Sequence, residues 1–333
     1  MIKKWLAVLV KFIISAALIL WLMDGIDLTQ AWDRAREADR GLLTFSLLIV
    51  VFQIFMGGVR WRAVMLALNV PFKLVSAVRL FYIGAFFNQT LPSSVGGDAV
   101  RMYMAFKSGM ELPKAINGVM LERVSMIVAL VIILAVVGPI FVLQLDASLQ
   151  IWMWFALVAV VVGLLFGIAF IMILDRLPTK FKHWRLVRGL GHLAGDTRML
   201  FLHFKNLLPV LVWCVLATVS ISFFVYVLGL SLGLEFKFTD ALVLVPGVLL
   251  VATIPISIGG WGVREGAMVT AFSLVGVPAS GALVLSLLMG LVAMVVALPG
   301  GLVWLIGRDK NSTSLKDMEQ KIENEMDHVQ DLK

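Results

Sequence analysis

The sequence predicts an all-α polytopic membrane protein with about six full transmembrane helices and two inverted re-entrant helical hairpins. Its 333 residues are 61% hydrophobic and 15% charged, whereas soluble domains are about 45–50% apolar and about 25% charged. Apolar runs of about 18 or more residues recur, which is the length needed to cross a hydrocarbon core of roughly 30 Å. Two shorter apolar runs end instead at a proline that is followed by a Gly-Gly pair.

Full spans are predicted where an apolar run is bounded on both sides by charged or turn residues. Because no small-residue cleavage site follows the first run, we interpret it as an uncleaved span rather than a signal peptide. The six spans are residues 5–23, 42–59, 117–143, 151–174, 207–232 and 279–306.

The two shorter runs, residues 74–91 and 241–254, lead directly into the proline and glycine breaks. The apolar segments that follow, residues 102–110 and 267–277, are too short to cross a bilayer alone. We therefore expect each break to form a hairpin of two short helices that dips into the membrane and returns. Three full spans lie between the hairpins, so the hairpins should approach the membrane from opposite sides.

The distribution of lysine and arginine predicts which loops are cytoplasmic, because short loops rich in these residues stay inside. With both termini in the cytoplasm, most of the 28 basic residues lie on the cytoplasmic side of the cell (inner) membrane. The same rule explains the net charge of +7, so no nucleic-acid partner is expected.

Three segments are predicted to lie outside the bilayer. Residues 24–41 have apolar positions at helical spacing and should form a short amphipathic helix on the outer surface. The basic amphipathic segment 175–206 either binds the cytoplasmic leaflet or acts only as a positive-inside anchor. The polar cytoplasmic tail, 308–333, is too short for a soluble catalytic domain of about 50 residues or more. We therefore place the function in one membrane domain, residues 1–307.

An internal repeat coincides with the two breaks. Residues 91–101 match residues 254–264 at an offset of 163, the separation between Pro92 and Pro255. Proline, serine, both glycines, valine and arginine are identical at corresponding positions. Chance matches of proline and glycine are common in glycine-rich membrane proteins, but they rarely include an arginine. We therefore predict inverted repeats centred on residues 88–123 and 251–285.

Each copy of the repeat predicts one helix that stops and a second that begins. Proline lacks an N–H donor and disfavours helix in the preceding residue, and the glycines let the backbone turn and approach a ligand closely. Asp98 stands at the N-cap position of the new helix, three residues before Arg101. A helix N-terminus beside an arginine is suited to an anion. The simpler alternative is a helix kink or a tight packing turn.

Ionisable residues at membrane depth are costly and tend to be functional. Glu122 and Arg123 lie near the cytoplasmic start of a span, where simple snorkelling is the alternative. The four histidines are not spaced as metal ligands, so neither a metal nor another cofactor is predicted. The candidate substrate-binding residues are Asn88, Pro92, Gly96, Gly97, Asp98, Arg101, Glu122, Arg123, Pro255, Gly259, Gly260, Arg264 and Glu265.

These motifs resemble the lysylphosphatidylglycerol synthase transmembrane, or flippase-like, domain family. The resemblance covers about residues 5–306 and rests on three motifs: Asn88 to Arg101, the Glu122-Arg123 pair, and Pro255 to Glu265. Members resemble the membrane half of the multiple peptide resistance factor, to which movement of aminoacylated phosphatidylglycerol between leaflets is ascribed. The resemblance implies lipid translocation without the soluble synthase domain. It also implies an arginine in the last span, where residues 286–294 of this chain are uncharged.

The leading functional hypothesis is a transporter, not an enzyme, that moves an anionic lipid or a lipid-linked phosphate head group between leaflets. The partners would be membrane lipids, and a homo-oligomer is left open. Two alternatives remain. One is an integral-membrane transferase acting on a lipid phosphate, although such enzymes usually need a denser set of acids or histidines. The other is a small-anion transporter, because helix N-termini also suit inorganic anions.

Overall fold

The computed structural model describes residues 33, 36–91, 96–176, 185–253 and 262–306, and of residues 176 and 185–191 only the backbone. Several predictions lie outside these ranges. They concern the first span (5–23), most of the outer amphipathic segment (24–41), the tail (308–333), and Pro92, Pro255, Gly259 and Gly260.

Every regular element in the described ranges is helical, with ten α-helices and one 3₁₀ turn at Leu174–Arg176. The helices are α1 (Arg40–Ala67), α2 (Leu74–Thr90), α3 (Gly96–Lys107), α4 (Leu112–Val142), α5 (Ala147–Met172), α6 (Arg185–Phe201), α7 (Phe204–Ser231), α8 (Phe238–Ala252), α9 (Val263–Ser273) and α10 (Ala279–Ile306).

Five of these helices, α1, α4, α5, α7 and α10, are long and apolar enough to cross a membrane. They have 26 to 31 residues, and at 1.5 Å per residue each exceeds a hydrocarbon core of about 30 Å. They coincide with five of the six predicted spans. The prediction of an all-α polytopic membrane protein is therefore confirmed.

The first hairpin consists of α2 and α3, which run antiparallel on either side of the break. The side-chain Oδ1 of Asn88 accepts a hydrogen bond from the backbone N–H of Gly97 at 2.9 Å. One turn further back, Gly84 faces Arg101. A Cβ added to Gly97 would lie only 1.9 Å from the carbonyl oxygen of Gly84. Glycine is therefore required where these two helices meet.

The second hairpin consists of α8 and α9, which also pack against each other. Asp240, near the start of α8, and Val275, just beyond α9, line the same cavity of about 550 Å³. Phe141 and Leu145, at the end of α4, line it as well. The second hairpin thus opens at the C-terminal end of α4, whereas residues 108–111 join the first hairpin to its N-terminal end.

The repeat extends over whole helices. The helices α7 to α10 begin 164 to 167 residues after α1 to α4 (204 against 40, 238 against 74, 263 against 96 and 279 against 112). Packing follows the same correspondence, because α2 packs against α10 as α8 packs against α4, and α1 packs against α7. How the two halves are oriented in a membrane stays a prediction.

Two helices have no counterpart in this scheme. The helix α5 packs against α4 and α6, and none of its residues is buried. The helix α6 lies within the basic amphipathic segment predicted at 175–206 and packs against α4, α5 and α7. Arg198 of α6 forms an ion pair and hydrogen bonds with Asp175. The hydrogen bonds raise the pKa of Arg198.

Candidate functional site

Five charged side chains from three helices form one network, here called the first cluster, and all of them except Arg123 are buried. Its members are Arg60 of α1, Asp98 and Arg101 of α3, and Glu122 and Arg123 of α4. Positive and negative groups alternate along it, from Arg123 through Asp98, Arg101 and Glu122 to Arg60. Among the described residues, the cluster contains three guanidinium groups and two carboxylates.

Glu122 is the central acceptor of the first cluster. Its Oε1 accepts from Nε of Arg60 at 2.7 Å and also from Nη2 of Arg60, and its Oε2 accepts from Nη2 of Arg101 at 2.7 Å. The same Nη2 of Arg101 donates to Oδ1 of Asp98 at 3.1 Å. Oδ2 of Asp98 accepts from Nε of Arg123. Each carboxylate thus joins two arginines.

Close helix contacts at glycines bring these side chains together. Gly97 lets the start of α3 press against α2, which places Arg101 beside Gly84. Gly58 does the same between α1 and α2, because a Cβ there would lie 2.5 Å from Cα of Val78. The backbones of α1, α2 and α3 therefore approach closely where Arg60 and Arg101 project toward Glu122.

Arg101 has hydrogen-bonding capacity that the described part of the protein does not use. An arginine has five N–H donors, and its Nη2 makes the two bonds to Asp98 and Glu122. Its Nε and Nη1 are buried without a hydrogen-bond partner among the described residues. Buried donors left unmatched cost about 1–3 kcal/mol, more for charged groups. Such an arginine is therefore suited to a further acceptor.

Aromatic rings surround the guanidinium group of Arg101. Its Cζ lies 4.7 Å from the ring centroid of Trp61 and 5.0 Å from that of Phe81. Phe81 also lies 5.8 Å from Cζ of Arg60. Cation–π contacts of this kind are worth about 0.5–2 kcal/mol, and most when water is excluded. The rings thus hold the charge in an environment that strengthens its attraction for an anion.

The structure brings four of the predicted residues, Asp98, Arg101, Glu122 and Arg123, into this network and gives Asn88 and Gly97 a supporting role. Arg60 was missed. Because it lies near the end of a span among other basic residues, the positive-inside rule accounts for it without any site. The preceding Gly57-Gly58 pair is the signal that this face of α1 approaches another helix.

A second cluster lies at the start of α9. Arg264 donates to Oε1 of Glu265 from Nη2 at 2.6 Å and from Nε at 3.1 Å. Ser286 of α10 donates from its Oγ to the same Oε1 at 3.2 Å, and accepts from Nε of Arg264 at 3.1 Å. Oε2 of Glu265 accepts from the backbone N–H of Gly262 at 2.5 Å. Glu265, which is fully buried, therefore caps its own helix.

Ser286 is the second residue that the sequence did not reveal. It lies on α10, the helix that corresponds to α4 in the second half. The glycine that donates to Glu265 also has a special backbone. Gly262 has a φ of 87°, a left-handed conformation that glycine adopts without strain.

A third polar contact attaches α6 to α4 near the first cluster. Asp196 accepts from Nζ of Lys114 and from Nδ2 of Asn117, both at 2.7 Å. Asp196 and Asn117 are buried, and Asn117 precedes Glu122 by five residues on the same helix. The amphipathic helix is thus fixed to the end of α4 that carries the charge network.

The fold and its clusters define a polytopic α-helical membrane protein with arginine–carboxylate groups buried where its helices break. The family model described as lysylphosphatidylglycerol synthase TM region matches residues 8–301. The chain therefore belongs to this family, and the resemblance seen in its motifs is confirmed. Among curated proteins, none matches the sequence.

Proposed function

We propose that this protein moves a lipid with an anionic head group, or a lipid-linked phosphate, between the leaflets of the cell (inner) membrane. Both termini would lie in the cytoplasm, and no chemical reaction would be catalysed. The observation that carries the proposal is Arg101, a buried guanidinium whose Nε and Nη1 have no hydrogen-bond partner among the described residues, beside two carboxylates that it already contacts. The family supports a lipid-related function.

In this proposal the phosphate group of the lipid approaches the first cluster from the side of Arg123. The Arg123 side chain is 46% exposed, whereas those of Arg101 and Glu122 are 3% exposed. The outermost cation would attract the head group, and the inner donors of Arg101 would bind it. The second cluster would line the path of the head group in the other half.

The test is leaflet exchange in reconstituted vesicles. The full-length protein is reconstituted into phosphatidylcholine vesicles that contain a trace of phosphatidylglycerol with a fluorescent acyl chain. Protein that moves this lipid to the outer leaflet should expose the inner-leaflet label to an impermeant quencher, so that its fluorescence is lost. Arg101→Ala should lower the rate about tenfold or more, because a charge-assisted hydrogen bond contributes about 1.5–3 kcal/mol. Lys107→Ala, an exposed substitution on the same helix, is the matched control and should leave the rate unchanged. Unchanged exchange in folded Arg101→Ala and Arg264→Ala would contradict the site.

The same donors also favour a second candidate, a small-anion transporter. The unmatched N–H groups of Arg101 would donate hydrogen bonds to an inorganic anion as readily as to a head group. Anion flux into vesicles that lack anionic lipid would support that candidate, provided it is lost in Arg101→Ala. Chemical conversion of the labelled lipid in the same vesicles would instead support a transferase.

A further inference from the structure

Asp98 occupies the place between two arginines where a bound anion would be expected. Its Oδ1 accepts from Arg101 at 3.1 Å, and its Oδ2 accepts from Arg123. Both partners are cations that the proposed function assigns to the ligand. Asp98 is the third residue of α3, directly after the break. A carboxylate of the protein itself thus lies in the position suited to the ligand's phosphate.

Asp98 and Glu122 differ in how firmly they are held. Glu122 lies ten residues inside α4 between two buried arginines, with contacts to Arg60 Nε and Arg101 Nη2 of 2.7 Å each. Asp98 lies in the first turn of a short helix, and its contact to Arg101 is longer. The Asp98 side chain is itself buried, but its other partner, Arg123, is 46% exposed. Breaking buried pairs is costly and exposed pairs contribute little, so of the two carboxylates Asp98 is the less costly to displace.

The number of donors also favours a larger anion than Asp98. The two oxygens of its carboxylate are both used, yet Nε and Nη1 of Arg101 remain without partners in the described part of the chain. A carboxylate has two acceptor oxygens, whereas a phosphodiester adds two weakly accepting ester oxygens to its two non-bridging oxygens, and a phosphate monoester has three strong acceptor oxygens. A phosphate group could take the bonds that Asp98 makes and also match donors that Asp98 leaves unmatched.

We infer that Asp98 is an internal competitor for the anion site: it pairs with Arg101 and Arg123 when the site is empty, and leaves them when a lipid phosphate binds. The inference rests on the proposed function for the identity of its ligand. Competition of this kind weakens binding, which suits a site that must release its ligand on the far side. It also regulates access, since the Arg123–Asp98 pair must open first.

The opposite role for Asp98 is to hold a cationic group of the ligand. The two roles predict different results for Asp98→Asn, which removes the charge and keeps the shape. If Asp98 competes with the phosphate, the variant binds anionic lipid more tightly. If Asp98 binds a cationic group, the variant gains nothing with a lipid that has no such group.

The experiment measures binding to the purified full-length protein in detergent by native mass spectrometry. The probes are dihexanoyl phosphatidylglycerol, which has no cationic group, and inorganic phosphate. Asp98→Asn should lower the dissociation constant for phosphatidylglycerol about tenfold, because the side chain no longer competes with the phosphate for the arginines. A tenfold change corresponds to about 1.4 kcal/mol. Asp146→Asn removes an exposed acid before α5 and should bind as the wild type does. An unchanged or weaker affinity in Asp98→Asn would overturn the inference, as would a gain seen only with inorganic phosphate.

Failure of the inference can be distinguished from failure of the proposed function. Arg101→Ala that binds phosphatidylglycerol like the wild type would contradict the proposed site itself. Lost binding in Arg101→Ala together with unchanged binding in Asp98→Asn would contradict only the role of Asp98. If Asp98→Asn does not fold, a structure of the wild type with bound phosphatidylglycerol decides. Asp98 should then lie beyond 3.5 Å from Nη2 of Arg101, and a retained pair would overturn the inference.

Discussion

The two halves of the protein share an arginine at the same place in the repeat, but they neutralise it differently. Arg101 finds its carboxylates on two helices, Asp98 and Glu122, and shares them with two further arginines. Arg264 finds its carboxylate on the adjacent residue, Glu265, which also caps the helix. Among the described residues, the first cluster has three arginines and two carboxylates, whereas the second has one of each. Over these residues, the same motif therefore produces a half with more arginines than carboxylates and a half in which they are equal in number.

This difference indicates that the halves have different tasks. Under the proposed function, the unmatched donors of Arg101 give the first cluster its affinity for the head group. Among the described residues, the second cluster pairs one arginine with one carboxylate, and the uncharged Ser286 completes it. We expect it to stabilise the second hairpin and to contribute less to binding.

The largest expected effect follows from removing the central carboxylate. Glu122→Gln leaves Arg60 and Arg101 without their shared charge partner, and breaking a buried ion pair costs about 3–5 kcal/mol. The melting temperature of the purified protein in detergent should fall strongly. Glu265→Gln should cost less, because it leaves a single arginine that is 13% exposed and that keeps its bond to Ser286.

Glu111→Gln, an exposed substitution before α4, serves as the control and should change the melting temperature little. A loss in Glu265→Gln as large as that in Glu122→Gln would break the comparison, because it would mean that the second cluster is as tightly integrated as the first.

The intermediate effect concerns the glycines of the two hairpins. Gly97→Ala places a Cβ 1.9 Å from the carbonyl oxygen of Gly84, so α2 and α3 must separate, at a cost of about 1–3 kcal/mol. Gly266→Ala is the matched substitution in α9, where a Cβ meets nothing within 4 Å. It should be neutral or stabilising by up to about 1 kcal/mol, since alanine favours helix over glycine.

Thermal unfolding of both variants measures this contrast, and leaflet exchange adds a second readout. Gly97→Ala should also slow exchange, because separating the helices moves Arg101 away from Glu122. Equal stability of the two variants would show that close contact at the break does not position the first cluster.

Much of this arrangement could be predicted from the sequence, for physical reasons. Apolar length identifies spans, and proline with glycine identifies breaks, because both properties are local. Asp98, Arg101, Glu122 and Arg123 could be singled out because a charge in an apolar region requires compensation. Their pairing could not be predicted, since it depends on how α3 packs against α4.

The residues that were missed illustrate this limit. Arg60 belongs to a basic loop region by sequence, and only the packing of α1 against α2 and α4 brings it to Glu122. Ser286 is uncharged and sits in an apolar helix, where serine commonly bonds to its own backbone. Glu265 could be predicted as a site residue, but its bond to the N–H of Gly262 follows from local backbone geometry that a motif does not specify.

The smallest expected effect separates structural from ligand-binding roles in the second cluster. Ser286→Ala removes one hydroxyl that bonds to Glu265 and Arg264, which should cost about 0.5–1.5 kcal/mol of stability. Because Glu265 keeps its bonds to Arg264 and to Gly262, the ion pair of the cluster should remain. Affinity for phosphatidylglycerol should therefore stay within about twofold of the wild type, as a change of about 0.4 kcal/mol would give.

Ser280→Ala, at the start of the same helix, is the matched control for stability. A marked loss of lipid affinity in Ser286→Ala without loss of stability would show that the second cluster also binds the head group, and the division of tasks between the two clusters would be wrong.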